Sequence, residues 1–321
     1  MILGTGRAVP TRVLTNHDLE KMVDTSDEWI RTRTGIERRH IADDRLRNSD
    51  LASEAARKAL EHAGLSPEDL DVILVGTVTG DATFPATACY VQEKIGAVNA
   101  AAMDLQAACS GFLYATAVAD GLIASGQAKH VLVIGSEILS RITDWTDRST
   151  CVLFGDGAGA AVFGPATDSR GVIDTFMRSD GRLTHLLCML GGGTSIPMEV
   201  AIQEKLHYLK MEGPEVFKAA VTAMGDAATL ILERNGLTGE DVDLLIPHQA
   251  NIRIIKATAK RLGMPDEKVY INVQEFGNTS AASIPIALSE AEEKGLVKEG
   301  SLILMVAFGG GFTWGSALIR F

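Results

Sequence analysis

The chain contains one segment twice. AARKALEHAGLSPEDLDVILVG, from Ala55, aligns without a gap on AATLILERNGLTGEDVDLLIPH, from Ala227, at a constant offset of 172 residues. Leu60 falls on Leu232 and Gly64 on Gly236, and the acidic Glu68, Asp69 and Asp71 fall on Glu240, Asp241 and Asp243. Each copy reads as an amphipathic helix stopped by glycine, a polar turn and a hydrophobic strand. Whatever one copy folds into the other must repeat, so two halves are predicted to pack about a pseudo-twofold axis.

The parallel extends beyond this segment. AAMDLQAACSG (Ala101–Gly111) answers VYINVQEFGNTS (Val269–Ser280), HVLVIGSE answers SLILMVAF, and FGDGAGAAVF answers FGGGFTWGSALI. Repeated β-α-β-rich units predict an α/β chain with helices layered around mixed sheets. We expect an N-terminal half over residues 1–165, a C-terminal half over 213–321, and a connecting, substrate-shaping insertion over 166–212 that contains LGGGTSIP.

Composition narrows the function classes. No apolar run reaches the length of a membrane span, and the N-terminus lacks the order of a secretory signal. Cys89, Cys109, Cys151 and Cys188 lie far apart with no CxxC pair, which argues against a zinc site and a disulfide framework and for a reduced, cytoplasmic protein. A net charge of −11 argues against nucleic-acid binding, and it demands a local basic patch for any acidic partner.

Cys109 sits in LQAACSGF, before a small-residue helical stretch. Free cysteine is among the most buried residue types, so a packing role is the first reading. Its place at a strand-to-helix turn favours a nucleophile, because a helix N-terminus offers N–H groups and a positive dipole end. Both can lower a thiol pKa from ~8.5 toward neutrality. In the second copy, His248 ends the repeated strand in IPHQAN, where sites in α/β proteins tend to lie. Asn278, in EFGNTSAAS, is placed within a residue of the position matching Cys109. The duplication therefore predicts that Cys109, His248 and Asn278 meet where the halves join.

These motifs carry a resemblance. AACSGF, the stretch Asp147–Val162, PHQANIRII, GNTSAAS and the closing AFGGGFTWGSALIRF resemble the β-ketoacyl-acyl-carrier-protein synthase III family of the thiolase superfamily, which initiates type II fatty-acid synthesis. The segment Asn16–His40 fits the same family, and the likeness weakens over Gly181–Tyr208. The resemblance implies a thiolase-like α-β-α-β-α fold and a homodimer. It implies an acyltransferase that loads Cys109 from acyl-CoA, with acetyl as the expected primer, and then condenses with malonyl-acyl-carrier protein. No permanently bound cofactor or metal is implied; the phosphopantetheine arm arrives on the carrier protein. His248 and Asn278 would stabilise the enolate, the Cys109 and Gly310 N–H groups the oxyanion, and Phe308 would disfavour the malonyl carboxylate.

By the same resemblance, Trp29 and Arg148 would hold the adenine of CoA, Arg33 its phosphates, and Gly213, Phe217 and Asn251 the pantetheine. Pro214 stands where the family often has a polar residue. Phe84 and Leu139 would shape the acyl pocket, Phe84 from across the dimer. In NIRIIKATAKRL, helical spacing puts Ile252, Ile255, Ala259 and Leu262 on the core face. Arg253, Lys256 and Lys260 then share an exposed face, with Arg261 nearby and Lys218 beside it. That stripe meets the demand for a basic patch and is a candidate landing site for an acidic carrier protein. Other readings stay open: a polyketide or quinolone starter enzyme with the same triad, a Cys-His-Asn thioester or amide hydrolase, and a redox-sensing scaffold.

Overall fold

The structure is a computed structural model that describes residues 1–321 except position 167. The first half runs through β1 (Ile2–Ala8), α1 (Asp27–Thr34), α2 (Asn48–Ala63), β2 (Val72–Gly76), α3 (Thr87–Ile95) and β3 (Ala101–Leu105). A 3-10 turn at Ala108–Ser110 leads into α4 (Gly111–Ala124), followed by β4 (Val131–Ile138) and β5 (Asp156–Phe163). The second half runs through β6 (Gly171–Ser179), α5 (Gly213–Arg234), β7 (Leu244–Pro247), α6 (Ile252–Arg261), α7 (Ser283–Glu293), β8 (Leu302–Gly309) and β9 (Thr313–Arg320).

The two sheets show the repeat directly. In the first, the order is β1-β5-β4-β2-β3, with β2 parallel to β4 and β3, and β5 antiparallel to both β1 and β4. In the second, β6-β9-β8-β7 reproduces the first four strands with the same directions. The strand answering β3 shrinks to a single bridge between Leu245 and Val269. Because β6 pairs along β9, the second copy opens at Gly171, and not at residue 213 as expected from the sequence. The segment without a counterpart is correspondingly shorter, and position 167 of the expected insertion lies outside the described residues.

Burial explains the layering. β2, β4, β5, β7 and β8 are buried along their whole length, as continuous apolar strands covered on both faces must be. One cluster joins Phe112 and Leu113 of α4 and Ile284 and Leu288 of α7 to strands of both sheets, so these helices form the middle layer. A second cluster packs α2 and α3 on the outer face of the first sheet, and a third packs α5 and α6 on the second. The order is α-β-α-β-α. Among the described residues no helix is long and apolar enough to cross a membrane.

The turns before the two central helices carry the same strain. Ala108 and Ser280, themselves 172 residues apart, adopt φ of 45° and 50°, a left-handed conformation rare for residues with a Cβ. The offset therefore sets Cys109 opposite Ala281 and Asn278 opposite Gln106, which corrects the expected match of Asn278 to Cys109 within a residue. The slip arises because the second copy inserts the short helix Val273–Phe276 between the bridge that answers β3 and the turn.

Close approach of the copies depends on a missing side chain. A Cβ on Gly135, in the middle of β4, would stand 2.1 Å from the carbonyl oxygen of Ala281. G135A is therefore expected to push the two turns apart and destabilise the chain by about 3 kcal/mol or more, measured by urea denaturation. An unchanged midpoint would mean that the turns have room to spare.

Candidate active site

Where the two strained turns face each other, the chain encloses a cavity of about 450 Å³. Cys109, His248, Asn278, Phe308 and Gly310 all border it, from four different segments. Leu139, Gly213, Phe217 and Asn251 border it as well. Backbone contact is tight beneath the thiol: a Cβ on Gly309 would lie 2.5 Å from the Cys109 nitrogen. Glycine at this point lets the last loop of the second copy lie against the turn of the first.

Hydrogen bonds fix the two polar partners. The Ser280 N–H donates to Asn278 Oδ1 at 2.9 Å, which identifies the oxygen end of that amide and leaves the Nδ2 donors for the cavity. His248 Nδ1 lies 2.7 Å from Ser283 Oγ, which also accepts from the Gln249 N–H at 3.3 Å. The serine proton is then free to go to Nδ1, and the ring carries its own proton on Nε2. Asn278 and His248 thus present one N–H donor each to a single cavity.

Burial sets the charge state. It lowers the His248 pKa to about 4, so the imidazole is neutral at ordinary pH. It pushes the Cys109 thiol up to about 12, although Cys109 keeps partial exposure through the cavity. The N-terminus of α4, two residues on, acts in the opposite direction but is outweighed by desolvation. The thiolate expected from the sequence is corrected accordingly: the resting site holds a thiol beside a neutral imidazole.

Phe308 packs against Phe312 with ring centroids 4.7 Å apart and forms an apolar wall. Asn251 caps α6 by accepting from the Arg253 N–H, and its Nδ2 donates to the Arg33 carbonyl at 3.0 Å. Both ends of this amide are therefore engaged within the chain. Trp29, Arg33 and Arg148 cluster outside the cavity, with Arg148 5.2 Å and Arg33 5.8 Å from the indole centroid. Arg148 also pairs with Asp24 at 3.3 Å. Phe84 is 84% exposed and does not reach the cavity of its own chain.

The basic stripe forms in altered detail. Arg253, Lys256, Lys260, Arg261 and Lys218 are exposed, but Arg261 is tied to Asp226, and Arg253 lies over the Phe217 ring at 5.0 Å. Ile254, Ile255, Thr258 and Ala259 form the buried face of α6, while Ile252 and Leu262 are only half-buried. Residues absent from the sequence expectations also border the cavity, among them Ser280, Cys188, Met189, Leu209 and Met211. Ser280 lies in the GNTSAAS motif. The other four come from the expected insertion over 166–212, whose pairing of Leu187–Cys188 with Lys210–Met211 has no repeat to reveal it.

A duplicated five-layer fold with cysteine, histidine and asparagine around a cavity at the junction of its halves defines a thiolase-fold condensing enzyme. Residues 103–181 match the family described as 3-Oxoacyl-[acyl-carrier-protein (ACP)] synthase III, and residues 232–321 match its C-terminal part. A β-ketoacyl-[acyl-carrier-protein] synthase III from Caldanaerobacter subterraneus is 56% identical over 99% of this chain and 97% of its own length. The crystal structure of a 3-oxoacyl-[acyl-carrier-protein] synthase III from Aquifex aeolicus superposes with a TM-score of 0.93 at 52% identity, covering 100% of this chain and 99% of that one. A Thermus thermophilus synthase III superposes at 0.94 with 45% identity, covering 100% and 98%. The chain belongs to the β-ketoacyl-[acyl-carrier-protein] synthase III family, and it is an acyl-transferring condensing enzyme.

Proposed function

We propose that Cys109 takes an acyl primer, acetyl in the first instance, from acyl-CoA and passes it to malonyl-acyl-carrier protein. In the first stage the Cys109 sulfur attacks the thioester carbonyl and CoA departs. The N–H groups of Cys109 and Gly310 hold the oxyanion. In the second stage the malonyl group loses CO2, and the resulting enolate attacks the acyl-Cys109 thioester. The products are 3-ketoacyl-carrier protein and the freed Cys109 thiolate, which takes up one proton from water to restore the thiol. His248 Nε2 and Asn278 Nδ2 donate to the enolate oxygen, and the Phe308 wall makes the carboxylate side poorly solvated.

The observation that carries this reading is the pair of N–H donors turned into one cavity with the thiol. Neither donor changes charge near neutrality, as a step that builds charge on oxygen requires. Asn278→Ala is expected to lower the rate of condensation about 10²-fold while transfer of the acyl group from CoA to Cys109 changes by only a few-fold. Equal loss in both stages would contradict this division of labour.

CoA would enter past Trp29, with Arg148 leaving Asp24 to let adenine against the indole and Arg33 turning to the phosphates. No resident cofactor is needed, because each thioester brings its own pantetheine past Gly213, Phe217 and Asn251. A second copy of the chain would pair along the β3 edge. There Met103 is 42% exposed and Val98 75%, and the exposed Phe84 would complete the partner's acyl pocket beside Leu139. The reading places the enzyme in the cytoplasm, with CoA and carrier protein and away from membrane and nucleic acid.

The acidic carrier protein would land on Arg253, Lys256, Lys260 and Lys218, with Arg261 held to Asp226. Lys256→Glu is expected to raise KM for malonyl-carrier protein several-fold and leave acyl-CoA loading unchanged, since rim charges act on encounter. An unchanged KM for the carrier protein would move the landing site elsewhere.

A further inference from the structure

Arg39 is the largest side chain that the fold encloses completely, and the chemistry above makes no use of it. It lies on the short strand Arg38–His40, opposite Leu14 of the strand Val13–Thr15. Its guanidinium donates to three neutral oxygens: the Val152 carbonyl at 2.6 Å, Asn16 Oδ1 at 2.8 Å and the Leu14 carbonyl at 3.3 Å. Its Nε is buried without a partner among the described residues. Burial lowers the Arg39 pKa to about 10, which still leaves it charged at neutral pH. A buried cation held only by neutral oxygens is costly to keep, and an apolar chain would fill the same space without that cost. What the planar fork adds is a fixed spacing between the oxygens it binds.

The segment held at Val152 is the one that holds Asn278. Leu153 and Phe154 follow Val152, and both border the cavity. The Asn278 N–H donates to the Leu153 carbonyl at 2.9 Å, and the Gly155 N–H donates to the Asn278 carbonyl at 3.0 Å, so Phe154 and Asn278 form a parallel bridge. The stem of Arg39 packs against this bridge. A Cβ on Gly155 would stand 3.0 Å from the Arg39 Cβ, and one on Gly277 would stand 3.3 Å from it.

The strand that carries Arg39 is anchored in turn. Asn16 Nδ2 donates to the Ile36 carbonyl at 2.8 Å and to Asp27 Oδ1 at 2.9 Å, which fixes the amide that receives the guanidinium. The Glu37 N–H donates to the Gln274 carbonyl at 3.0 Å, and His40 stacks on Phe276 with centroids 5.6 Å apart. Both contacts fall on the short helix Val273–Phe276 that leads into Asn278. The guanidinium makes none of its hydrogen bonds to the turn that carries Cys109.

We propose that Arg39 is a positioning residue for the condensation step: by fixing the Val152 carbonyl against the Leu14 strand, it sets the bridge from which the Asn278 amide enters the cavity. Loading of Cys109 draws on N–H groups of other segments and does not need this support.

The inference rests on Asn278 as a donor to the enolate, and the test separates the two claims. Single-turnover condensation is measured on enzyme already acylated at Cys109 and mixed with malonyl-carrier protein; acyl transfer from acyl-CoA is measured on its own. R39M, which removes the donors and keeps a long side chain, is expected to slow condensation about 10-fold, because small displacements of a positioned group lower rates steeply. Its acyl transfer is expected to change by only a few-fold. R39K keeps the charge but cannot span three oxygens with one nitrogen, and it is expected to recover part of the loss. It carries the same test if R39M does not fold. The double variant R39M/N278A is expected to condense no more slowly than N278A, since the group that Arg39 positions is already gone. Losses that multiply in the double variant, or that fall equally on both stages, overturn the positioning role, as does wild-type condensation in folded R39M. N278A without a selective loss of condensation overturns the reading of Asn278 instead.

Discussion

The structure depends on how closely two copies of one turn can approach each other through sheets that give way to them. Ala281 presses its carbonyl oxygen onto the face of β4 at Gly135, and the loop after β8 lies on the Cys109 nitrogen at Gly309. Glycine at these points replaces side-chain layers with backbone contact. Ala108 and Ser280 take a left-handed conformation to enter the same space. A cavity shared by both halves follows, bordered by residues far apart in the chain. Neither half contains a site alone, because the cysteine comes from one copy and its polar partners from the other.

Enclosure then governs the chemistry. Desolvation disfavours charge on both Cys109 and His248, so the resting site is neutral where an exposed cysteine and histidine would be free to share charge. The ring presents one fixed tautomer because Ser283 occupies Nδ1, and the asparagine amide presents its nitrogen because the Ser280 N–H occupies its oxygen. Donors held in place in a poorly hydrated cavity lose little on reorganisation when charge builds on a substrate oxygen. A thiol that must lose its proton only at the moment of attack suits the same environment.

Much of this was legible in the sequence because duplication writes a fold twice. The offset of 172 residues identified the repeated helix, turn and strand, and the glycines that end those helices, Gly64 and Gly236, adopt φ of 65° and 67°. Motifs at strand ends located Cys109, His248 and Asn278 without coordinates. Register at the second turn is not legible because the short helix Val273–Phe276 is inserted between the residue that answers β3 and the turn. The limit of the second half was misjudged because β6 carries no motif and shows its place only by pairing with β9. The thiol's protonation state was misread because helix position is visible in sequence and desolvation is not.

The central claim is that the two halves together make Cys109 the covalent carrier of the acyl group. Intact-mass measurement after mixing the enzyme with acyl-CoA, in the absence of carrier protein, tests it most directly. One acyl mass per chain, mapped to Cys109 and discharged on adding malonyl-carrier protein, is the predicted result. No added mass, or an acyl group on Cys89, Cys151 or Cys188, would contradict the account.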